Sequence, residues 1–303
     1  MAEKILIAGA TGYIGGKLAQ RLVEAGEMPR CMARRPDSAT GLMEIGCEVV
    51  KGDVLNPSTL GPALEGIDVA YYLVHSMGRG GDGDFEKLDL EGALNFARAA
   101  TEAGVGQIVY LGGLGEGKSK HLRSRHETAE ALTSTGVPLT YLRAAVVLGG
   151  GSESFQTVYH LVRRLPAMVT PKWTTTRTQP IAVNDVVEYL AQAGKPGPWV
   201  GEEIQIAGPD ITTYGGMMKV MADSMGKRRP LMIRIPVLTP RLSSLWIGLV
   251  TPVDTGVVRP LVEGLSTETI ISDEGGMAMF TIQPTGMEKA MDSAVAELVG
   301  FQA

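Results

Sequence analysis

The chain has 303 residues, enough for one large core and a smaller lobe, and its net charge of -5 with a pI near 5.5 gives no electrostatic case for nucleic acid or an anionic membrane as partner. Only Cys31 and Cys47 occur, without disulfide-framework or metal-ligand spacing, so reduced, buried thiols are expected and no metal site. No run approaches the ~20 apolar residues of a spanning helix, and the short apolar start leads into a glycine turn, not a signal-peptide cleavage site, which points to a cytoplasmic protein without an integral membrane segment.

Ile5-Leu6-Ile7-Ala8 reads as a short buried strand. Gly9, Gly12 and Gly15 follow, with Ile14, Leu18 and Leu22 at helical spacing. Strand, glycine turn and helix in this order are what a dinucleotide pyrophosphate requires. Gly9 permits the tight turn, Gly12 lets backbone approach the phosphates, and Gly15 lets the helix pack on the strand. Thr11, Tyr13 and Ile14, between and beside these glycines, join them as candidate cofactor contacts. The helix is expected from Gly12 to Ala25, ended by Gly26, and a second strand from Arg30 to Ala33.

Arg34-Arg35-Pro36-Asp37 comes next, with Arg34 19 positions after Gly15. A carboxylate there would bind the ribose 2′-hydroxyl of NAD, whereas arginine accommodates the 2′-phosphate of NADP. Arg34 and Arg35 therefore favour NADP, with NAD possible; the other reading is a solvated turn. Glu48 to Val54 reads as a third strand whose Gly-Asp-Val end would lie beside adenine. Asp53 and Val54 are candidate adenine contacts, although Asp53 could equally cap the next turn. A fourth strand, Val69 to Val74, delivers Val74, His75 and Ser76 to the sheet edge where ligands bind. The glycine-rich Gly78 to Gly83 after it is a lid over the site or a plain flexible loop.

A helix from Phe85 to Ala103 has Leu88, Ala93, Phe96, Ala97 and Ala100 as its expected buried face. Then come a strand Ile108 to Leu111, the stretch Gly112-Gly113-Leu114-Gly115, a helix Ser124 to Thr135 and a strand Leu139 to Ala144. This alternation predicts a doubly wound parallel α/β sheet, with residues 1–150 as a dinucleotide-binding domain. Residues 151–303 form a smaller α/β substrate lobe, interleaved with that domain around 180–193. The lobe should contain a helix from Ser154 to Leu165, a loop from Pro166 to Pro180, Ile181-Ala182-Val183, a helix from Asp185 to Ala193, a short strand Ile204 to Ile206 and a helix from Tyr214 to Met225. In the apolar segment 236–263, a helical run from Leu242 to Leu249 reads as a membrane-surface helix or, better, a wall of the substrate cleft. The last 30 residues carry no readable chemistry.

Gly9-Ala10-Thr11-Gly12-Tyr13-Ile14-Gly15, Gly52-Asp53-Val54, Leu142-Arg143 and Ile181-Ala182-Val183-Asn184-Asp185-Val186 together resemble the extended and atypical short-chain dehydrogenases/reductases. Tyr72-Leu73-Val74-His75-Ser76-Met77 and Leu111-Gly112-Gly113-Leu114-Gly115 look, more narrowly, like NmrA-like NAD(P)-binding proteins. The resemblance covers about residues 1 to 265. It implies a Rossmann domain with a smaller lobe, bound NAD(P) and oxidoreductase chemistry, with Gly112 near the cofactor. Family catalysis uses a Ser or Thr after strand five, a Tyr-x-x-x-Lys on the next helix and an asparagine on helix four. Here Gly112-Gly113-Leu114 offers no hydroxyl, the tyrosine-lysine slot reads His121-Leu122-Arg123-Ser124-Arg125, and the asparagine position is Asp89.

Two functions remain open. His121 could act as general acid near neutral pH with Arg125 in the cationic, ribose-facing role, reducing a small apolar carbonyl or enone with NADP. Alternatively the protein binds cofactor without turnover, as a sensor or assembly protein. His75, at the end of strand four where nicotinamide would lie, is a second catalytic candidate. Either histidine could instead be structural. A monomer or homodimer is expected.

Overall fold

The computed structural model describes residues 3–76, 85–115, 119–234 and 264–302. In chain order the first half gives β1 (Ile5–Ala8), α1 (Tyr13–Glu24), β2 (Arg30–Ala33), α2 (Thr40–Glu44), β3 (Glu48–Lys51), α3 (Leu60–Leu64), β4 (Val69–Tyr72), α4 (Phe85–Glu102), β5 (Gln107–Gly113), α5 (Lys120–Thr133) and β6 (Leu139–Ala144). The second half gives β7 (Val147–Leu148), α6 (Glu153–Arg164), β8 (Ala167–Thr170), β9 (Arg177–Thr178), β10 (Ile181–Ala182), α7 (Val183–Ala193), β11 (Glu203–Ile206), β12 (Thr212–Thr213), α8 (Tyr214–Ser224), β13 (Leu231–Arg234) and α9 (Met287–Gln302).

Seven strands form one parallel sheet in the order β11-β6-β5-β4-β1-β2-β3, the doubly wound arrangement expected. Side chains alternate across it because successive residues of a strand point to opposite faces. Ile5, Ile7, Tyr71, Val109 and Leu142 pack with Leu18 and Leu22 of α1 and Val186, Tyr189 and Leu190 of α7. Leu6, Ala8, Ala70, Tyr72, Ile108 and Tyr110 face the other way, onto Ala93, Phe96 and Ala100 of α4 and Leu132 of α5. The seventh strand, β11, comes from beyond residue 200 and pairs with β6 through the register Glu203 to Tyr141. A third apolar cluster lies apart from the sheet, built by Phe155 and Leu161 of α6, Met217 and Met221 of α8, Met291 and Leu298 of α9, and Trp173.

Three expectations change. The loop expected over Pro166 to Pro180 contains β8, paired in parallel with β13, and β9, paired antiparallel with β12. Both pairings are with distant segments, which local alternation does not reveal. The helix expected from Ser124 starts at Lys120, because the Ser119 side chain caps it by accepting the Leu122 N–H at 3.2 Å. The tail without readable chemistry folds into α9, whose Glu297 reaches the glycine turn. The candidate lid Gly78 to Gly83 and the helical run Leu242 to Leu249 lie outside the described residues.

Glu297 joins three parts of the chain. Its Oε2 accepts the Tyr13 hydroxyl at 2.6 Å and the Gly150 N–H at 2.9 Å, while Lys17 Nζ stands 2.8 Å from Oε1. Burial alone would raise the carboxyl pKa, but the hydrogen bonds from Lys17, Tyr13 and Gly150 outweigh it and hold the group below its ordinary value. Glu297→Ala is expected to cost about 1–3 kcal/mol at pH 7, because the Tyr13 hydroxyl and Gly150 N–H lose their acceptor. Since the folded pKa is depressed, this stabilisation is complete above the unfolded carboxylate value of ~4.3 and disappears as pH falls through the lower folded value. Urea denaturation of both proteins should show their difference shrinking below that pH. A constant difference from pH 7 to pH 3 would contradict the ionic clasp.

Candidate active site

The glycine turn between β1 and α1 is shaped by contacts only glycine permits. Gly9 has φ +93°, and a Cβ there would lie 2.6 Å from the Leu73 carbonyl oxygen. A Cβ on Gly15 would strike the Gly9 carbonyl, whereas one on Gly12 would meet only the Gly9 oxygen, at 3.2 Å. Gly12 donates its N–H to that oxygen at 2.9 Å and stands as the extended N-cap of α1. No side chain caps this helix and no acidic residue lies in its first turn. Its opening amides are therefore left for an anion, and the helix dipole adds to their pull. The turn sits where the sheet order reverses, between β1 and β4, the position at which open α/β sheets bind ligands. The residues present fit a dinucleotide pyrophosphate.

A cleft of about 500 Å³ opens from this turn. Gly9, Gly12, Tyr13, Ile14 and Gly15 line it, together with Leu73 and His75 after β4 and Gly112, Gly113 and Leu114 at the end of β5. His121, Leu122 and Arg125 enter from α5; Val146, Ser152 and Ser154 come from the β6–α6 stretch, Tyr214 from α8, and Thr269 from the segment before α9. The two candidate histidines and Arg125 thus share one cavity with the phosphate cradle.

Burial, then the positive charge of Arg125, then His75 push the His121 pKa from 6.5 down to about 3. The imidazole is neutral at physiological pH. It can donate or accept a hydrogen bond but holds no spare proton there, which revises the general-acid role expected for it. For Arg125, burial opposes the charge, but Tyr110, Asp89 and Tyr141 overcome it and the net shift is upward. Arg125 is a permanent cation in the cleft wall. Below it stand the buried phenols of Tyr72, Tyr110 and Tyr141, all raised chiefly by burial, with Tyr110 and Tyr141 stacked at 5.2 Å.

Asp89, at the family's asparagine position, ties two parts of the chain together. Its Oδ1 accepts the Ser76 N–H at 2.7 Å and its Oδ2 accepts the Ser124 hydroxyl at 3.2 Å, tying the end of β4 to α5. Gly112, at the family's hydroxyl position, has a physical explanation: a Cβ there would lie 2.6 Å from the Tyr141 ring.

The remaining candidates stand outside the cleft lining. Arg34 and Arg35 are exposed just after β2, and among the described residues neither forms an ion pair. Asp53 uses Oδ1 to accept the Leu55 N–H at 3.1 Å, which is its turn-capping reading. Val54 is buried against Gly92, Val74 is half-buried, Ser76 is buried and Thr11 is exposed. Tyr214 and Thr269 line the cleft but were not foreseen, since nothing near them in sequence marks a site. Among the described residues, no group of His, Cys, Asp and Glu could hold a metal ion, and no helix is long and apolar enough to cross a membrane.

A family model described as NAD(P)H-binding matches residues 9–177. The chain is similar to the photosystem II assembly factor Ycf39 of Synechocystis, 30% identical over 198 residues, covering 63% of this chain and 58% of that protein. It thus spans a little over half the length of that relative. The ceramide reductase of Caulobacter vibrioides is 26% identical over 235 residues, 77% of this chain and 73% of that one. Among solved structures, the NADP(H) complex of Citrobacter sp. triphenylmethane reductase superposes with a TM-score of 0.75 at 20% identity, covering 96% of this chain and 99% of that one.

The two glycines give separable outcomes. Gly12→Val should keep the fold and lose dinucleotide binding, because its side chain enters the space where phosphate and backbone must approach. Gly15→Val should lower the melting temperature as well, since its Cβ collides with turn backbone. Calorimetric titration with NADPH and thermal unfolding check both. A folded Gly12→Val protein with intact NADPH affinity would place the nucleotide elsewhere.

Proposed function

The chain belongs to the NAD(P)H-binding family, and from that premise we propose that it is an NADP-dependent oxidoreductase of the atypical short-chain dehydrogenase/reductase type, reducing a small apolar carbonyl or enone compound. The observation that carries this reading is the single cleft whose wall holds the glycine turn together with His121 and Arg125. Similarity to a protein named ceramide reductase favours reductase chemistry. The bound dinucleotide supplies the hydride.

The chain's own residues divide the rest of the work. The amides opening α1 hold the pyrophosphate, and Arg34 with Arg35 meets the 2′-phosphate. Arg125 stabilises negative charge developing on the substrate oxygen but cannot deliver a proton. His121, neutral, donates a hydrogen bond to that oxygen, and water supplies the proton. His75, exposed at the end of β4, borders the same space. The reaction is assigned to the cytoplasm and to a monomer or homodimer.

A second reading rests on the similarity to a photosystem II assembly factor: the protein binds cofactor and stabilises a partner without turnover. Screening NADPH oxidation against carbonyl and enone compounds separates the two. Tight NADPH binding with no substrate turned over favours the second.

Arg34→Ala should weaken NADPH binding by about 1.5–3 kcal/mol, the scale of a hydrogen bond to a charged group, and leave NADH unchanged. Equal losses for both cofactors would remove Arg34 from the 2′-phosphate. His121→Ala should lower kcat by about 10²–10³-fold, the cost of one oxyanion donor. A group with its pKa near 3 contributes no limb between pH 5 and pH 8, so that loss should be constant across this range. A loss that vanishes as pH rises through 6.5 would restore His121 as a protonated acid.

A further inference from the structure

Beside the cleft lies a second cavity of about 50 Å³ within the apolar cluster of α6, α8 and α9. The two share a wall made of Val146, Ser154, Tyr214 and Leu265. Its hydroxyls are engaged: Ser154 bonds Ser152 at 2.9 Å, Thr157 donates to the Glu153 carbonyl at 2.8 Å, and Tyr214 bonds Thr269 and Thr178, so the unpartnered Trp173 indole N–H is the polar group left among the lining residues. Phe155, Leu161, Met217, Met221 and Met291 supply much of the remaining surface. Such a space offers water few partners, and leaving it empty costs stability in proportion to its volume.

We propose that the chamber receives an alkyl arm of the substrate, while the carbonyl stays in the cleft against His121 and Arg125. This rests on the reductase reading above and adds a location and a size to it. An apolar cavity of about 150 Å³ accommodates the six carbons of benzene, so about 50 Å³ takes about two carbon atoms. The three methionines set that limit softly, since their unbranched thioethers shift to suit an occupant. Tyr214 and Leu265, on the shared wall, stand between arm and head. The site therefore selects carbonyl compounds with a short chain on one side of the oxygen.

The test uses the intact chain labelled with [methyl-13C]methionine and a series of methyl n-alkyl ketones from 2-butanone to 2-nonanone, titrated with and without NADPH. The Met217, Met221 and Met291 methyl signals, assigned from single leucine substitutions, should move. Affinity should rise about fourfold per methylene over the first two or so and then level off. Val158→Phe, at a half-buried wall position, should fill the chamber and flatten the series while leaving NADPH affinity unchanged. Met221→Ala, which enlarges the space, should extend the rise to longer chains. Unmoved methionine signals would overturn the assignment. So would an affinity that climbs with chain length equally in wild type and Val158→Phe. A protein that shows the ketone series but binds no NADPH loses the reductase reading and keeps the chamber. One that binds NADPH and lacks the series does the reverse.

Discussion

The contact between Gly15 and the Gly9 carbonyl sets the position of the whole site. With no side chain at either position, α1 presses directly on the end of β1, and its uncapped first turn is delivered to the point where strand order reverses. The parallel sheet follows from burial on both faces. That the cleft opens beside β1 and β4 follows from this one close approach. The strand ends around it place His75 after β4, Gly112 and Gly113 on β5 and Val146 at the exit from β6, while α5 brings His121 and Arg125 and α8 brings Tyr214.

A second constraint is electrical. Arg125 is held in the cleft wall among three phenols and the Asp89 carboxylate, and burial, reinforced by the Arg125 charge, keeps the neighbouring His121 neutral. A permanent cation and a neutral donor suit an oxygen that becomes negative during reduction. They are poorly suited to proton transfer near neutral pH. On the reductase reading proposed above, the ordinary tyrosine-lysine pair would combine positioning, charge and proton in two side chains, whereas His121 and Arg125 would keep the first two functions and leave the third to solvent.

Much of this was legible in the residues. The glycine spacing and the alternation of apolar runs with helical periods led to the sheet, because both are local patterns tied to backbone geometry. Arg34, Arg35, His75, His121 and Arg125 could be named from position along the chain. The protonation state of His121 could not, since it depends on burial and on a guanidinium one helical turn away. Tyr214 and Glu297 were invisible for another reason: each reaches the site from an element distant in sequence, and neither carries a motif. Glu297 in particular lies 284 residues from the Tyr13 hydroxyl it accepts. The β8–β13 pairing failed to show for the same reason as Tyr214.

The missing hydroxyl at the end of β5 bears on whether this site is a decayed version of the ordinary one. A serine at position 112 could not be accommodated while Tyr141 keeps its place, because even a Cβ would press on the ring. Tyr141 in turn stacks on Tyr110, and both phenols help retain the charge of Arg125. Glycine at 112, the stacked tyrosines and arginine at 125 are thus mutually dependent. Restoring a serine would displace Tyr141 and with it the stacked pair beside Arg125, so the glycine at 112 is fixed by this packing, not by the loss of a single group.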